Sequence, residues 1–209
     1  MSITENRHLN MFYPYRREVI EQNLTRALII VFRILNSEAK NTLLKVIVGD
    51  VFPSSLIDEG QLTYTIEDAT PPPKNCKFKR LVAISTTGVI KEDSDTDAKS
   101  IPDAQIRVGS GNDAVIMIES KVRSNTLSLD QLKRHAVILG EDLDSVINVV
   151  TWNKISSEVS KLVSSGSLSD TEVFVAQEFL NFLSINYDYG ILNRLLIPSF
   201  RGLEIPSMR

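Results

Sequence analysis

Residues 101–122 read IPDAQIRVGSGNDAVIMIESKV, and the way this stretch folds decides the rest of the chain. Two strand-like runs, DAQIRV and AVIMIESKV, flank GSGN, a strong hairpin signal. Alternation along a strand puts residues two apart on one face, so Glu119 and Lys121 project together while Ser120 points the other way. If Ile106 to Val108 pairs with Val115 to Ile118 around the turn, Asp103 comes to lie beside Glu119. Two carboxylates and an ammonium then converge at one end of an otherwise apolar hairpin.

Working outward toward the N-terminus, YRREVIEQNLTRALIIVFRILN carries apolar residues at Ile20, Leu24, Ala27, Leu28, Val31 and Leu35, the spacing of a long amphipathic helix. Residues 38–49 continue in helical style to Gly49, and the proline of VFPSS stops what precedes it. The period then changes. QLTYTIED alternates, and after PPPKN comes FKRLVAIST, rich in strand-forming residues. Residues 91–100, KEDSDTDAKS, read as an exposed loop. Beyond the hairpin, LSLDQLKRHAVILG is a helix with Ser128 as N-cap and Gly140 as its stop. SVINVVTW reads as a buried strand, and SDTEVFVAQEFLNFLS as a capped amphipathic helix. The order predicts an α/β fold with a mixed sheet flanked by helices, and no internal repeat is evident. The whole chain, 1–209, reads as one domain, with a core over about 12–155 and a helical extension over 156–209 whose tail reads as a point where a longer protein was cut.

Composition bounds the function. The 209 residues are 43% hydrophobic and 23% charged, with a formal net charge of -3, so the chain does not announce itself as a general polyanion binder. Any nucleic-acid contact must come from a local patch. One cysteine, Cys76, excludes an internal disulfide framework, and with no charged-then-apolar leader this points to a cytoplasmic setting. The most apolar stretch, ALIIVF, lies between Arg26 and Arg33, far short of the roughly 20 residues a membrane span needs.

Two acids a few Å apart raise each other's pKa unless a cation fills the gap, and oxygen ligands suit Mg²⁺ or Mn²⁺. A lysine beside such an ion can orient water and stabilise charge on a phosphate. Pro102-Asp103 and Glu119-Ser120-Lys121 resemble the signature of the PD-(D/E)xK nucleases, over about residues 12–155. The resemblance implies a restriction-endonuclease-like three-layer core and a Mg²⁺-dependent nuclease, with Mn²⁺ as a substitute ion, that hydrolyses phosphodiester bonds in nucleic acid, DNA first, in defence or repair. It implies Asp103, Glu119 and the Ser120 carbonyl as metal ligands and Lys121 as the residue that positions the attacking water. It also gives Glu21, at the edge of the first helix's apolar stripe, a place on a second metal or its water shell. Gln131, at the start of the following helix, would orient Lys121 or a phosphate oxygen. Substrate contacts are expected from Lys79, Arg80, Arg123, Lys133 and Arg134. A homodimer or a place in a larger complex is compatible with the chain.

Each residue also has a plainer reading. Glu119 and Lys121 can form a surface ion pair worth about 0–1 kcal/mol. Asp103 can be a turn residue, and Glu21 and Gln131 ordinary helix residues. KRH at 133–135 reads as a solvated helix face. His8 and His135 are too isolated for a zinc site, and Cys76, with no paired histidine, is a poor nucleophile. The alternative function is a catalytically silent module of the same fold that mediates protein or nucleic-acid interaction.

Overall fold

The computed structural model describes residues 20–59, 61–92, 101–122 and 126–186. The expectations for residues 12–19, most of the charged stretch at 91–100, His8, Arg123 and the tail from 187 onward lie outside them. In chain order the helices are α1 (Ile20–Ile34), α2 (Ser37–Val48), α3 (Ser55–Glu59), α4 (Leu129–Leu139), α5 (Leu143–Val146), α6 (Trp152–Ser164) and α7 (Asp170–Asn186). The strands are β1 (Leu62–Ile66), β2 (Phe78–Ser85), β3 (Ile90–Lys91), β4 (Ala104–Val108), β5 (Ala114–Ser120), β6 (Leu127–Ser128) and β7 (Ile147–Thr151).

The main sheet has five strands in the order β1-β4-β5-β2-β7, and β3 pairs with β6 in a separate small ladder. β4 runs antiparallel to β1 and β5, while β5, β2 and β7 are parallel, so the sheet is mixed. The β4–β5 hairpin aligns Ile106 with Ile116 and Ala104 with Ile118. A short 3-10 turn over Gly109–Gly111 closes it. Gly109 has φ 56°, in the left-handed region that favours glycine.

Strand alternation divides the core. Ile116 and Ile118 join Val82, Ile84 and Ile106 on the face covered by α1, α2 and α6, with α7 packed on α1 and α6. Val115 and Met117 join Leu81 and Ala83 on the opposite face, under Leu132, Ala136 and Leu139 of α4 and Val146 of α5. The molecule is therefore α/β, with a mixed five-stranded sheet flanked by helices on both faces. The reading of SVINVVTW as a buried strand is corrected: β7 is an edge strand, with Val149 38% exposed, because β2 covers only one of its sides. The region after β7 holds a helix, α6, that the sequence reading did not separate, and α6 and α7 place Ile155, Val159, Phe179 and Leu183 in the larger core.

Caps fix the helix ends. Asn36 accepts from the Ala39 N–H at the start of α2, and Ser128 from the Gln131 N–H at the start of α4. Gly140, with φ 71°, ends α4 in the left-handed conformation. Ser169 and Glu172 form a reciprocal capping box before α7. Among the described residues no helix is long and apolar enough to cross a membrane.

Candidate active site

At the C-terminal end of β5 the apolar run stops and Glu119, Ser120 and Lys121 follow. The Lys121 N–H donates to the Ile84 carbonyl at 2.7 Å, so the parallel ladder with β2 continues through this position and holds its backbone. Alternation turns Glu119 toward α4 and Ser120 toward α1. Asp103 directly precedes β4, and the β4–β5 register brings it to the same sheet end.

Glu119 is 1% exposed and fully engaged. Its Oε1 accepts from Lys121 Nζ at 2.8 Å and from Gln131 Nε2 at 2.7 Å. Its Oε2 lies 3.0 Å from His135 Nε2. Lys121 also faces Glu21 of α1, with Nζ 3.6 Å from Oε2. The other Glu21 oxygen accepts from the Val122 N–H at 3.4 Å. Burial pulls the Lys121 ammonium down, but Glu119, Glu21 and Asp103 outweigh it and hold it above its ordinary value.

Asp103 sits on the other side of the strand end. Its Oδ2 accepts from the Ser120 N–H at 2.8 Å and from the Ser120 hydroxyl at 2.9 Å. Burial first, then the Glu119 charge, pushes its carboxyl up to about 7, against the pull of Lys121 and the two Ser120 donors. Ser120 Oγ lies 2.6 Å from Thr25 Oγ1, which donates to the Glu21 carbonyl at 3.1 Å.

The structure thus brings Glu21, Asp103, Glu119, Ser120, Lys121 and Gln131 to one sheet end, from two helices and a hairpin. His135, read from sequence as part of a solvated face, is corrected: its ring is fully buried against Glu119. The signal was available, because His135 follows Gln131 by one helical turn and adjoins Ala136 on the buried face of α4. Trp152 was also missed. It is fully buried and its Nε1 donates to the Lys121 carbonyl at 3.1 Å, tying the start of α6 to the site.

Two of the expected substrate contacts, Lys79 and Arg80, are not brought to this sheet end. Lys79 and Arg80 pair in register with Val115 and Ile116, three to four residues before Glu119. At about 3.3 Å per residue, that is roughly 10–13 Å away along the strand. Lys79 instead pairs with Glu141 at 2.9 Å, and Arg80 donates to the Val48 and Ser145 carbonyls. Both were assigned from local charge, which carries no information about which end of a strand a residue occupies. Lys133 is exposed on α4 and Arg134 half-buried. Cys76 donates to the Phe78 carbonyl, and burial raises its thiol pKa, so it is a poor nucleophile here too.

The donor chemistry fits a hard divalent cation. The carboxylates are oxygen donors, and Asp103 is raised partly by Glu119, a repulsion that a cation relieves. Among the described residues no group of three or more His, Cys, Asp or Glu side chains is arranged to hold a metal ion. A set of two carboxylates and a carbonyl suits Mg²⁺, which keeps several waters, better than Zn²⁺. No family model, curated protein or solved structure matches the chain.

Proposed function

We propose that this chain is a Mg²⁺- or Mn²⁺-dependent phosphodiesterase of restriction-endonuclease-like fold that hydrolyses nucleic acid, DNA in the first place, in a cytoplasmic defence or repair role. The observation that carries the reading is the gathering of Asp103, Glu119 and Lys121 at one sheet end, with Glu21 from α1 and Gln131 from α4 turned to the same place. Asp103, Glu119 and the Ser120 carbonyl would hold the ion, and Glu21 would reach its water shell. When bound, the ion supplies positive charge for the phosphate oxygens and makes a water more acidic.

The protein's own residues do the rest. Lys121 is kept charged by its three acidic neighbours, so it can donate to a water or a phosphate oxygen but not take a proton from either. Gln131 holds Glu119 Oε1 beside it and steadies the ammonium's position. Trp152 donates to the Lys121 carbonyl and so holds the backbone from which the side chain projects.

A second reading rests on one observation: both Glu119 oxygens already have protein partners, so the buried carboxylate is satisfied without a cation. That state suits a catalytically silent module that binds a protein or nucleic acid. Incubation of supercoiled plasmid, single-stranded DNA and RNA with the protein in Mg²⁺, Mn²⁺ or EDTA separates the two. Cleavage that requires the ion and is lost in Glu119→Ala is the expected result, and no cleavage of any substrate in either ion overturns the enzymatic reading.

A further inference from the structure

We infer that His135 is a positioning residue that decides which oxygen of Glu119 a cation meets, and thereby favours Mg²⁺ and Mn²⁺ over Ca²⁺. The inference rests on the metal-dependent reading and extends it to the choice of ion.

The two oxygens of Glu119 are held very differently. Oε1 is held by Lys121 and Gln131, long side chains, and that of Lys121 is 20% exposed. Oε2 is held by His135, whose side chain has no exposure at all. A carboxylate oxygen only accepts, so His135 Nε2 must carry the proton in this contact. The ring is set by the packing of α4, where Leu132, Ala136 and Leu139 anchor the same buried face. Lysine and glutamine can rotate away from Oε1 and find other partners at the open side. Freeing Oε2 would instead leave a buried ring N–H without an acceptor, at a cost of about 1–3 kcal/mol.

Glu119 is therefore built to offer one oxygen. Mg²⁺ demands near-ideal octahedral geometry and is served by single carboxylate oxygens and waters. Ca²⁺ takes more oxygen ligands at longer distances and often spans both oxygens of one carboxylate. A histidine that keeps Oε2 out of the coordination sphere removes the mode that Ca²⁺ exploits and Mg²⁺ does not need. Outer partners of this kind typically change metal affinity by about 10–100-fold.

Calorimetric titration of the full chain with MgCl₂, MnCl₂ and CaCl₂ tests this in the parent, His135→Phe and His135→Gln, with folding checked by circular dichroism. His135→Phe keeps ring volume and removes the donor, and the ratio of Ca²⁺ to Mg²⁺ affinity is expected to rise about tenfold or more. His135→Gln restores a side-chain N–H and is expected to return the ratio toward the parent's. An unchanged ratio in folded His135→Phe, or a Gln variant that behaves like Phe, overturns the inference and leaves the metal site standing. A parent that binds no divalent cation overturns the metal-dependent reading and the inference with it. If His135→Phe does not fold, the metal-induced infrared difference spectrum of the parent decides the matter. With Mg²⁺ the wide separation of carboxylate stretches typical of one-oxygen binding is expected, and the narrow separation of two-oxygen binding overturns the inference.

Discussion

Replacing Asp103 by asparagine tests the electrostatics of the site through stability alone, with no substrate present. A single Asp103 oxygen accepts both Ser120 donors, and one amide oxygen can do the same, so the substitution keeps these contacts and removes the charge. In the folded protein the carboxyl is raised from 3.8 to about 7. The folded state thus holds the proton more tightly than the unfolded chain does. The stability contributed by protonation is complete below about pH 4, falls as pH rises through about 7, and is gone above that. Three pKa units at about 1.4 kcal/mol each set a ceiling of about 4 kcal/mol. Because Asp103 is not fully shielded from solvent, the expected difference is discounted to about 2–3 kcal/mol. Asp103→Asn should therefore match the parent near pH 4 and exceed it at pH 8 by that amount, which is roughly 4–12 °C in Tm for a chain of this size. Urea denaturation in EDTA at pH 4, 6 and 8 measures the gap, and added Mg²⁺ should narrow it by stabilising the ionised parent. A parent as stable as the variant at pH 8 would refute the claim that an uncompensated carboxylate is buried beside Glu119.

Lys121→Ala should lower plasmid cleavage by about 10²–10⁴-fold while calorimetry still detects the cation, because the ammonium acts on water and phosphate and not on the ion. Trp152→Phe leaves the Lys121 carbonyl without its donor and should cost about 1–3 kcal/mol by denaturant titration, with cleavage reduced beyond what the unfolded fraction explains. Asn36→Ala removes the cap of α2, at a cost of about 1 kcal/mol, and at temperatures where the variant is folded it should leave cleavage unchanged, since α2 carries no residue of the site.

The hairpin was legible because its two strands are adjacent in sequence and their register follows from the turn. Glu21 was legible for a related reason, since residues 21, 24 and 28 share one helical face and a carboxylate in an apolar stripe needs a partner. His135 was not read because its neighbours Lys133 and Arg134 gave the segment a solvated look. The spacing from Gln131 and the adjoining Ala136 carried the opposite signal, and the contact across to β5 shows that His135 turns inward. Lys79 and Arg80 were misplaced for a different reason. They lie on an inner strand, but sequence alone does not say that β2 runs parallel to β5, and it is that direction which sends them to the far end of the sheet. β7 was misjudged because an apolar run looks the same at the edge of a sheet as at its centre until strand order is known.

The sheet divides two unequal apolar layers, and the thinner one carries α4 on little more than Leu132, Ala136 and Leu139. Amide hydrogen exchange in α4 should accordingly proceed through partial openings well below the global unfolding free energy, whereas the middle of α1, locked between the sheet and α7, should exchange only with the whole molecule. Each such opening carries Gln131 and His135 away together and strips Glu119 of two partners while Glu21 and Lys121 stay in place. A buried carboxylate is exposed to solvent for as long as the opening lasts. Mutations on the outer face of α4 that touch none of the site residues should change how often Glu119 meets water while leaving the closed arrangement as it is.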